Sequence, residues 1–182
     1  MAGTLGDYRG SSIDSSEILY FLDTTQTASI SVDSTSHKAT VTGGTFNMML
    51  LLSTDNTFGN GMETSETNDV TQKLAISAPA ASGSASLDFD QPMLTEDPVC
   101  LKLYELYNSK AISGATFTIC RCDTWNENKV FVATASVICN QYGGGAQDKA
   151  HVQGTIGLIS DWVEVEKKGV IDDATGELTF AA

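Results

Sequence analysis

KAHVQGTIGLISDWVEVEKKGVIDDATGELTFAA, residues 149–182, is the most strongly patterned stretch of this chain. Polar and apolar residues alternate from His151 to Leu158, and such alternation predicts a strand with one wet face and one dry face. The stretch carries no recognisable catalytic motif. It therefore favours a protein whose work is assembly rather than chemistry.

The rest of the chain also predicts mostly strands. Ten short segments are rich in β-branched or aromatic residues and are separated by clusters of Gly, Asn, Asp, Ser and Thr. They are residues 17–23, 28–33, 38–43, 45–54, 70–77, 84–90, 115–122, 129–139, 149–160 and 176–180. Strands at this spacing are typical of an antiparallel β-sandwich or barrel.

One segment, residues 95–110, has a helical pattern instead. Asp97 is placed to cap a helix and Pro98 stands at its first position. Apolar side chains then recur at helical spacing and are predicted to cover an open face of the sheet: Leu103, Leu106 and Tyr107. The predicted fold class is therefore mainly β, an antiparallel β-sandwich or barrel with one α-helix and a long inter-strand loop.

Length and composition limit the organisation of the chain. With 182 residues, 41% of them hydrophobic, the chain can bury one full core, so residues 1–182 are predicted to form a single domain. The start of the sequence has no charged and apolar secretory signal, and its best apolar run, residues 46–52, is too short for a membrane span. We expect synthesis in a cytoplasm.

Net charge argues against a nucleic-acid-binding protein. Acidic residues number 23 and basic residues 10, for a formal net charge of −13, which leaves no basic stripe to neutralise phosphates. The acids are scattered along the chain. They are explained either by a solvated surface that keeps a concentrated protein soluble or by an electrostatic field with a purpose.

A long loop over residues 55–69 is predicted to protrude from the domain. Its length calls for a functional explanation or for disorder, and its glycines, asparagines and acids favour a mobile backbone. A mobile arm on a rigid sheet can reach a neighbouring molecule, and a plain surface loop fits the residues equally well. A second loop with three glycines, residues 143–145, lacks the Gly-Lys-Ser/Thr ending of a phosphate cradle and is interpreted as a hairpin connection.

Catalytic and cofactor motifs are not found. His37 and His151 stand alone, without HExxH, GxSxG or a nucleophile beside a base, so no catalytic residue is predicted. Asp88 and Asp90 are spaced to share a strand face, but nothing in the sequence requires a shifted pKa. We predict that the protein is not an enzyme and uses no cofactor.

Four cysteines are candidates for a metal site. They are Cys100, Cys120, Cys122 and Cys139, and in a cytoplasm they are expected to stay reduced. Structural zinc usually uses cysteines paired across a turn, and that spacing is missing here. We therefore predict small buried thiols and no metal.

Strand faces give a further indication. In residues 129–139 one face carries Thr134 and Ser136, and in residues 151–158 the wet face carries Gln153 and Thr155. Residues 70–77 behave similarly, with Lys73 and Ser77 on one side. Small polar side chains without bulky charge suit open solvent or the lining of a watery channel.

The region GGGAQDKAHVQGTIGLISDWVEVEKKGVIDDATGELTF, residues 143–180, resembles the carboxyl-terminal pattern of phage major tail proteins, the tail tube family. In that pattern a Gly-rich turn and an A-x-V-x-G-T-I strand lead to a short strand and a G-x-x-D-x-x-T-G-x-x-T-F hairpin. Here the hairpin is Gly169 to Phe180. The sequence departs from the pattern in the connection, with Asp161-Trp162 and the charged run 164–168.

The resemblance implies a virion structural protein whose copies form rings, six to a ring in the usual case. The inner strands of neighbours would join into one barrel, and rings would stack head to tail into a tube through which DNA passes. Residues 45–54, 70–78, 130–140 and 150–159 would line or flank the lumen. The implied lumen-facing residues are Asn47, Lys73, Ser77, Thr134, Ser136, Gln153 and Thr155.

Loop 55–69 would reach the next ring in this interpretation. The implied ring-stacking residues are Asp55, Asn56, Phe58, Gly59, Met62, Glu63, Glu66 and Asp69. The partners would be other copies of the chain, with tape-measure, sheath or tail terminator proteins as further candidates. DNA would be cargo without specific binding, and acids near the lumen would repel it.

Other classes of protein are alternatives to this interpretation. A capsid decoration protein, another virion structural protein or the tube subunit of a related injection machine would share the acidic β-rich composition and the missing catalytic groups. An adhesin or pilus subunit would need a route out of the cell and usually disulfides. An enzyme is the least favoured class, because no nucleophile and base can be paired.

Overall fold

A computed structural model describes residues 17–49, 64–67, 76–79, 86–109, 115–144 and 149–181. Within them lie thirteen strands. In chain order they are β1 (Ile18–Asp23), β2 (Ser29–Val32), β3 (Ala39–Thr42), β4 (Phe46–Met48), β5 (Thr64–Thr67), β6 (Ile76–Pro79), β7 (Ser86–Pro92), β8 (Ala115–Asp123), β9 (Lys129–Gly143), β10 (His151–Leu158), β11 (Val163–Glu164), β12 (Gly169–Ile171) and β13 (Glu177–Phe180). The helix α1 spans Pro98–Asn108, and a short 3₁₀ turn spans Thr124–Asn126.

The main sheet has nine strands, and all its strand pairs are antiparallel. Its order is β12-β13-β4-β1-β8-β9-β10-β7, with β11 added to β9. Two further hairpins form two-stranded sheets, β2 with β3 and β5 with β6. The predicted fold class, mainly β and antiparallel with one helix, is confirmed in the described part of the chain.

Strands β1, β8 and β9 bury side chains on both faces. One face carries the first core cluster, which includes Leu22, Phe117 and Ile119 and is covered by α1 through Val99 and Leu103. The opposite face carries the second cluster, and its members lie one residue out of phase on the same strands: Phe21, Cys120, Cys122, Val130 and Val132. Burial on both faces explains the continuous apolar runs at residues 18–22 of β1 and 130–133 of β9.

The sheet curls around the second cluster. The N–H of Gly169, at the start of β12, donates to the carbonyl oxygen of Asn128 at 2.9 Å, so the edge of the sheet returns to the beginning of β9. Val165 donates to Val130 at 2.8 Å, and Glu166 donates to Ala39 at 3.0 Å. These bonds connect β9 to β3 through the segment after β11 and give this end of the molecule a barrel-like wall.

Helix α1 begins and packs as its sequence predicts. The carboxylate of Asp97 accepts a hydrogen bond from the N–H of Cys100 at 2.7 Å, and Pro98 occupies the first turn. Leu103 is fully buried in the first cluster and Leu106 packs against it. The ring of Tyr107 lies 5.8 Å from that of Tyr142 on β9. The helix therefore covers the sheet face that the sequence left open.

Several predicted boundaries differ from the structure. The prediction of a loop over residues 55–69 is wrong at residues 64–67. These residues form β5, because they pair with residues 76–79. Residues 55–63 and 68–69 lie outside the described residues. Of the predicted strand 45–54, residues 46–48 are β4 and 50–54 lie outside the description.

The strand predicted over residues 70–77 is described only from residue 76, and β6 continues to Pro79. The strand predicted to end at Cys139 continues to Gly143, because β9 keeps pairing with β10. Part of the predicted hairpin connection is therefore strand.

A β-bulge lies between β9 and β10 at Gln153/Gly154, where Gln153 faces Gln141 and Gly154 faces Cys139. Gly154 is required there by close packing. A β-carbon placed on it would lie 2.0 Å from the carbonyl oxygen of Ile138 and 2.7 Å from the ring of Phe89. The backbone of β9 can come this close only to a residue without a side chain.

Replacing Gly154 with alanine is expected to lower the free energy of unfolding by about 2–3 kcal/mol, because β9 or Phe89 must shift to make room. Urea-induced unfolding would measure the loss. Gly157→Ala is the matched control on the same strand, since nothing lies within 4 Å of the added methyl group. Equal stability of the two variants would contradict this account of the bulge.

Asp23 organises the turn between β1 and β2. Its carboxylate accepts hydrogen bonds from the N–H groups of Thr25, Ala28 and Thr45 at 2.8–3.1 Å and from the Thr25 hydroxyl at 2.7 Å. Burial would raise the pKa of this carboxyl, but the bonds from Thr25, Ala28 and Thr45 outweigh burial and hold its pKa below the usual value. The charged form therefore stabilises the fold.

Asp23→Ala is expected to lower the free energy of unfolding by about 2–3 kcal/mol at pH 7, because three backbone N–H groups lose the buried carboxylate that accepts their hydrogen bonds. Asp23→Asn removes the charge but keeps the shape of the side chain. This variant should be less stable than the wild type above the unfolded pKa of about 3.9. That difference should shrink as the pH falls through the lower folded pKa, where the wild-type carboxyl gains its proton. Unfolding curves at neutral pH and at successive acidic pH values would test this, and a pH-independent difference would contradict it.

Candidate functional site

A polar surface of the main sheet lies on one face of β8, β9, β10 and β7. We call it the polar face and define it by the polar side chains that share this face around the exposed Ile138, which stands opposite Thr155. They are Thr116 of β8, Thr134 and Ser136 of β9, His151, Gln153 and Thr155 of β10, and Asp88 and Asp90 of β7. The other face of the same strands packs onto the first core cluster.

Cross-strand pairing places hydroxyl groups side by side between β8 and β9. Thr116 lies opposite Ser136, and Thr118 lies opposite Thr134. Their inward-facing neighbours, such as Ala135 and Val137, are buried. The two-residue period of each strand therefore separates a hydroxyl-bearing surface from an apolar core.

Both aspartates of β7 are held by residues of β10. The Thr155 hydroxyl donates to Asp88 at 2.7 Å. One carboxylate oxygen of Asp90 accepts a hydrogen bond from the Gln153 amide at 2.9 Å. The other oxygen lies 2.8 Å from Nδ1 of His151. Both carboxylate oxygens of Asp90 are thus engaged by the neighbouring strand, which fixes its charge on the surface of the sheet.

The formal charges of the polar face come from its carboxylates. Along the described strands β7 to β10, its ionisable residues are Asp88, Asp90 and His151, and no lysine or arginine points to it. The basic residues Arg121 and Lys129 lie on the opposite face, where both contact the ring of Phe131.

The strand β7 ends the main sheet. It pairs with β10 on one side, and within the described residues no strand pairs with its other side. An open strand edge is a template for pairing with another chain unless it is covered or charged. Ser86–Pro92 therefore offers a docking edge beside the polar face.

Four predicted lumen-facing residues are brought together on the polar face: Thr134, Ser136, Gln153 and Thr155. Asn47 lies elsewhere. It is buried on β4, where its side-chain oxygen accepts a hydrogen bond from Thr24 at 2.9 Å. Ser77 lies on β6, directly opposite Glu66 on β5.

The remaining predicted residues lie outside the described part of the chain: Lys73, Asp55, Asn56, Phe58, Gly59, Met62, Glu63 and Asp69. Sequence reasoning did not include Asp88, Asp90, Thr116 and His151 in the lumen-facing set. The alternation in Ser86–Asp90 was the available signal for the two acids.

The four cysteine thiols are weak nucleophiles at neutral pH. Burial raises the pKa of all four cysteine thiols, to about 11 for Cys122 and about 12 for Cys139, so they stay protonated at neutral pH. Within the described residues, no three His, Cys, Asp or Glu side chains are grouped as metal ligands. None of the helices in this part of the chain is long and apolar enough to span a membrane.

Comparison with known proteins finds a similar fold among solved structures. No family model matches the sequence, and a search of curated proteins finds no significant relative. Among solved structures, the chain is similar to the SPP1 tail tube, determined by solid-state NMR and cryo-electron microscopy, with a TM-score of 0.50 and 18% sequence identity. The match covers 90% of this chain and 83% of that chain. The chain therefore shares the fold of a phage tail tube protein.

Proposed function

We propose that this chain is a structural subunit of a phage tail tube and forms stacked rings, six copies to a ring, around a lumen through which DNA passes. The observation that carries the proposal is the fold shared with the SPP1 tail tube over nearly the whole chain. The terminal motif from Gly169 to Phe180 supports it, since these residues form the β12–β13 hairpin of the main sheet. The protein would be located in the virion tail.

The polar face is the surface that would line the lumen. Its hydroxyl and amide groups interact with water without offering a strong grip, and its fixed charges, Asp88 and Asp90, are negative. At physiological salt the Debye length is about 8 Å, so DNA passing close to the wall would feel these carboxylates. DNA would be transported cargo rather than a bound ligand.

The free edge of β7 would form the contact between neighbours in a ring. Pairing of this edge with an adjacent copy would satisfy its backbone groups and extend the polar face into a continuous wall. A closed ring of such contacts would leave no β7 edge exposed. Stacking of rings would use residues 55–69, of which Glu66 lies on β5, and would propagate head to tail.

Other partners would follow from this role. A tape-measure protein in the lumen, a sheath on the outside and a terminator at the end of the tube are the candidates. Each would contact a different surface of the assembled ring.

Purified protein is expected to form rings and hollow tubes as its concentration rises. Negative-stain electron microscopy paired with sedimentation would measure this directly. Tubes with an axial pore would support the proposal, and class averages of end views would count the copies in a ring. A stable monomer or a compact trimer at every concentration would overturn it and favour a capsid decoration protein.

Neutralising the acids of the polar face is expected to make assembled tubes retain DNA. Tubes of Asp88→Asn/Asp90→Asn should cosediment with severalfold more double-stranded DNA than wild-type tubes at low salt, and the difference should disappear at high salt. The asparagines keep the shape of the aspartates and can still accept bonds from β10.

A matched control removes two exposed acids elsewhere, Glu105 on the helix and Asp173 in the β12–β13 turn, as Glu105→Gln/Asp173→Asn. These tubes should behave like the wild type. If both double variants retain DNA equally, net charge alone is responsible and the polar face is not the lumen wall.

A further inference from the structure

Strand β3 has an open edge at the barrel-like end of the molecule, away from β7. In the β2–β3 hairpin the N–H of Asp33 donates to the carbonyl oxygen of Lys38 at 2.9 Å. Hydrogen-bonded and non-bonded pairs alternate along an antiparallel ladder, so Thr40 and Thr42 bond to β2. The backbone groups of Ala39 and Val41 point to the other side.

The segment after β11 covers only the beginning of this edge. Ala39 forms a parallel bridge with Val165, and its carbonyl oxygen accepts the N–H of Glu166 at 3.0 Å. The two segments then separate. In the described part of the chain, the outward N–H and carbonyl oxygen of Val41 have no hydrogen-bond partner.

A groove of about 330 Å³ opens at this point. Its apolar lining comes from Ala39, Val41, Val165 and Phe180, and the last of these packs edge-on against Phe46 at 5.8 Å. The open edge of β3 forms one wall. An apolar groove with free backbone groups along one wall matches the requirements of an extended peptide.

Lysine 167 marks the rim of the groove. The neighbouring lysines are neutralised, because Lys38 and Lys129 both pair with Glu164, and Lys168 pairs with Glu127. Lys167 and the neighbouring Glu166 both line the groove, are exposed and have no ion pair within the described residues. The rim therefore carries one charge of each sign, and an acid on a second copy, whose net charge is −13, can pair with Lys167.

We propose that the groove accepts an extended segment of a second copy of this chain, which adds a strand to β3. The segment would bond to the backbone of Val41, place alternate apolar side chains against Val165 and Phe180, and present an acid to Lys167. This inference rests on the proposed function, because it requires self-association. It assigns a contact separate from the β7 edge and from residues 55–69.

Residue-resolved amide hydrogen exchange tests the proposal on the unmodified chain. The Val41 amide should exchange quickly in the dispersed protein and at least about tenfold more slowly in the assembled form. The amides of Thr40 and Thr42 are internal controls, since their bonds to β2 should protect them in both forms. Exchange would be compared at low and high protein concentration, with assembly followed by sedimentation.

The outcomes separate this inference from the tube proposal. Tubes in which Val41 exchanges as fast as in the dispersed protein would overturn the groove contact alone. Val41 protection in dimers or other assemblies without tubes would support the groove contact and overturn the tube. Absence of self-association at every concentration would overturn both.

A charge reversal at the rim gives an independent measurement. Lys167→Glu should raise the concentration needed for assembly severalfold while leaving thermal unfolding of the dispersed protein unchanged, because the side chain is exposed. Lys149→Glu, an exposed lysine just before β10, is the matched control and should assemble like the wild type. Identical assembly of both variants would contradict the role of Lys167.

Discussion

Burial of both faces of β1, β8 and β9 is the constraint on which the rest of the structure depends. Adjacent residues on these strands, such as Phe21 and Leu22, enter opposite cores. A fully buried side chain of this size contributes roughly 1.5–3 kcal/mol, so neither face can be left to solvent. The helix must cover one face, and the curled strands around Val130 and Leu178 must cover the other. The polar face lies on the part of this sheet face that the second cluster does not cover.

Local signals were sufficient for the helix and for most strands. Asp97 and Pro98 mark the start of α1 through short-range chemistry that a sequence displays. Strand β5 was missed because Thr64–Thr67 shows no polar and apolar alternation, and its pairing with Ile76–Pro79 cannot be inferred from these four residues alone. The extension of β9 into Asn140–Gly143 depends on pairing with β10, which overrides the turn preference of these residues.

The sequence predicted those members of the candidate site that follow from the two-residue period of a single strand. It did not predict those that depend on the register between two strands. Thr134 and Ser136 alternate with buried residues, so their common face was visible in one strand. That Asp88 stands beside Thr155 depends on how β7 aligns with β10, and no single strand carries that information. Asn47 has a polar side chain on a strand, but β4 lies where both faces are covered, so its amide serves the interior.

The buried side chains of β9 switch from one face of the strand to the other in the single step from Val132 to Ala133. Both residues are inaccessible, whereas more buried and less buried residues alternate on either side of this pair. The fifteen residues of β9 span about 50 Å, so one strand serves both cores. Inserting or deleting one residue near this step would exchange inside for outside along half of its length. The loops of this protein can change length during evolution, whereas β9 can change only by substitution. Among distant relatives, conserved spacing along this strand should therefore outlast conserved sequence.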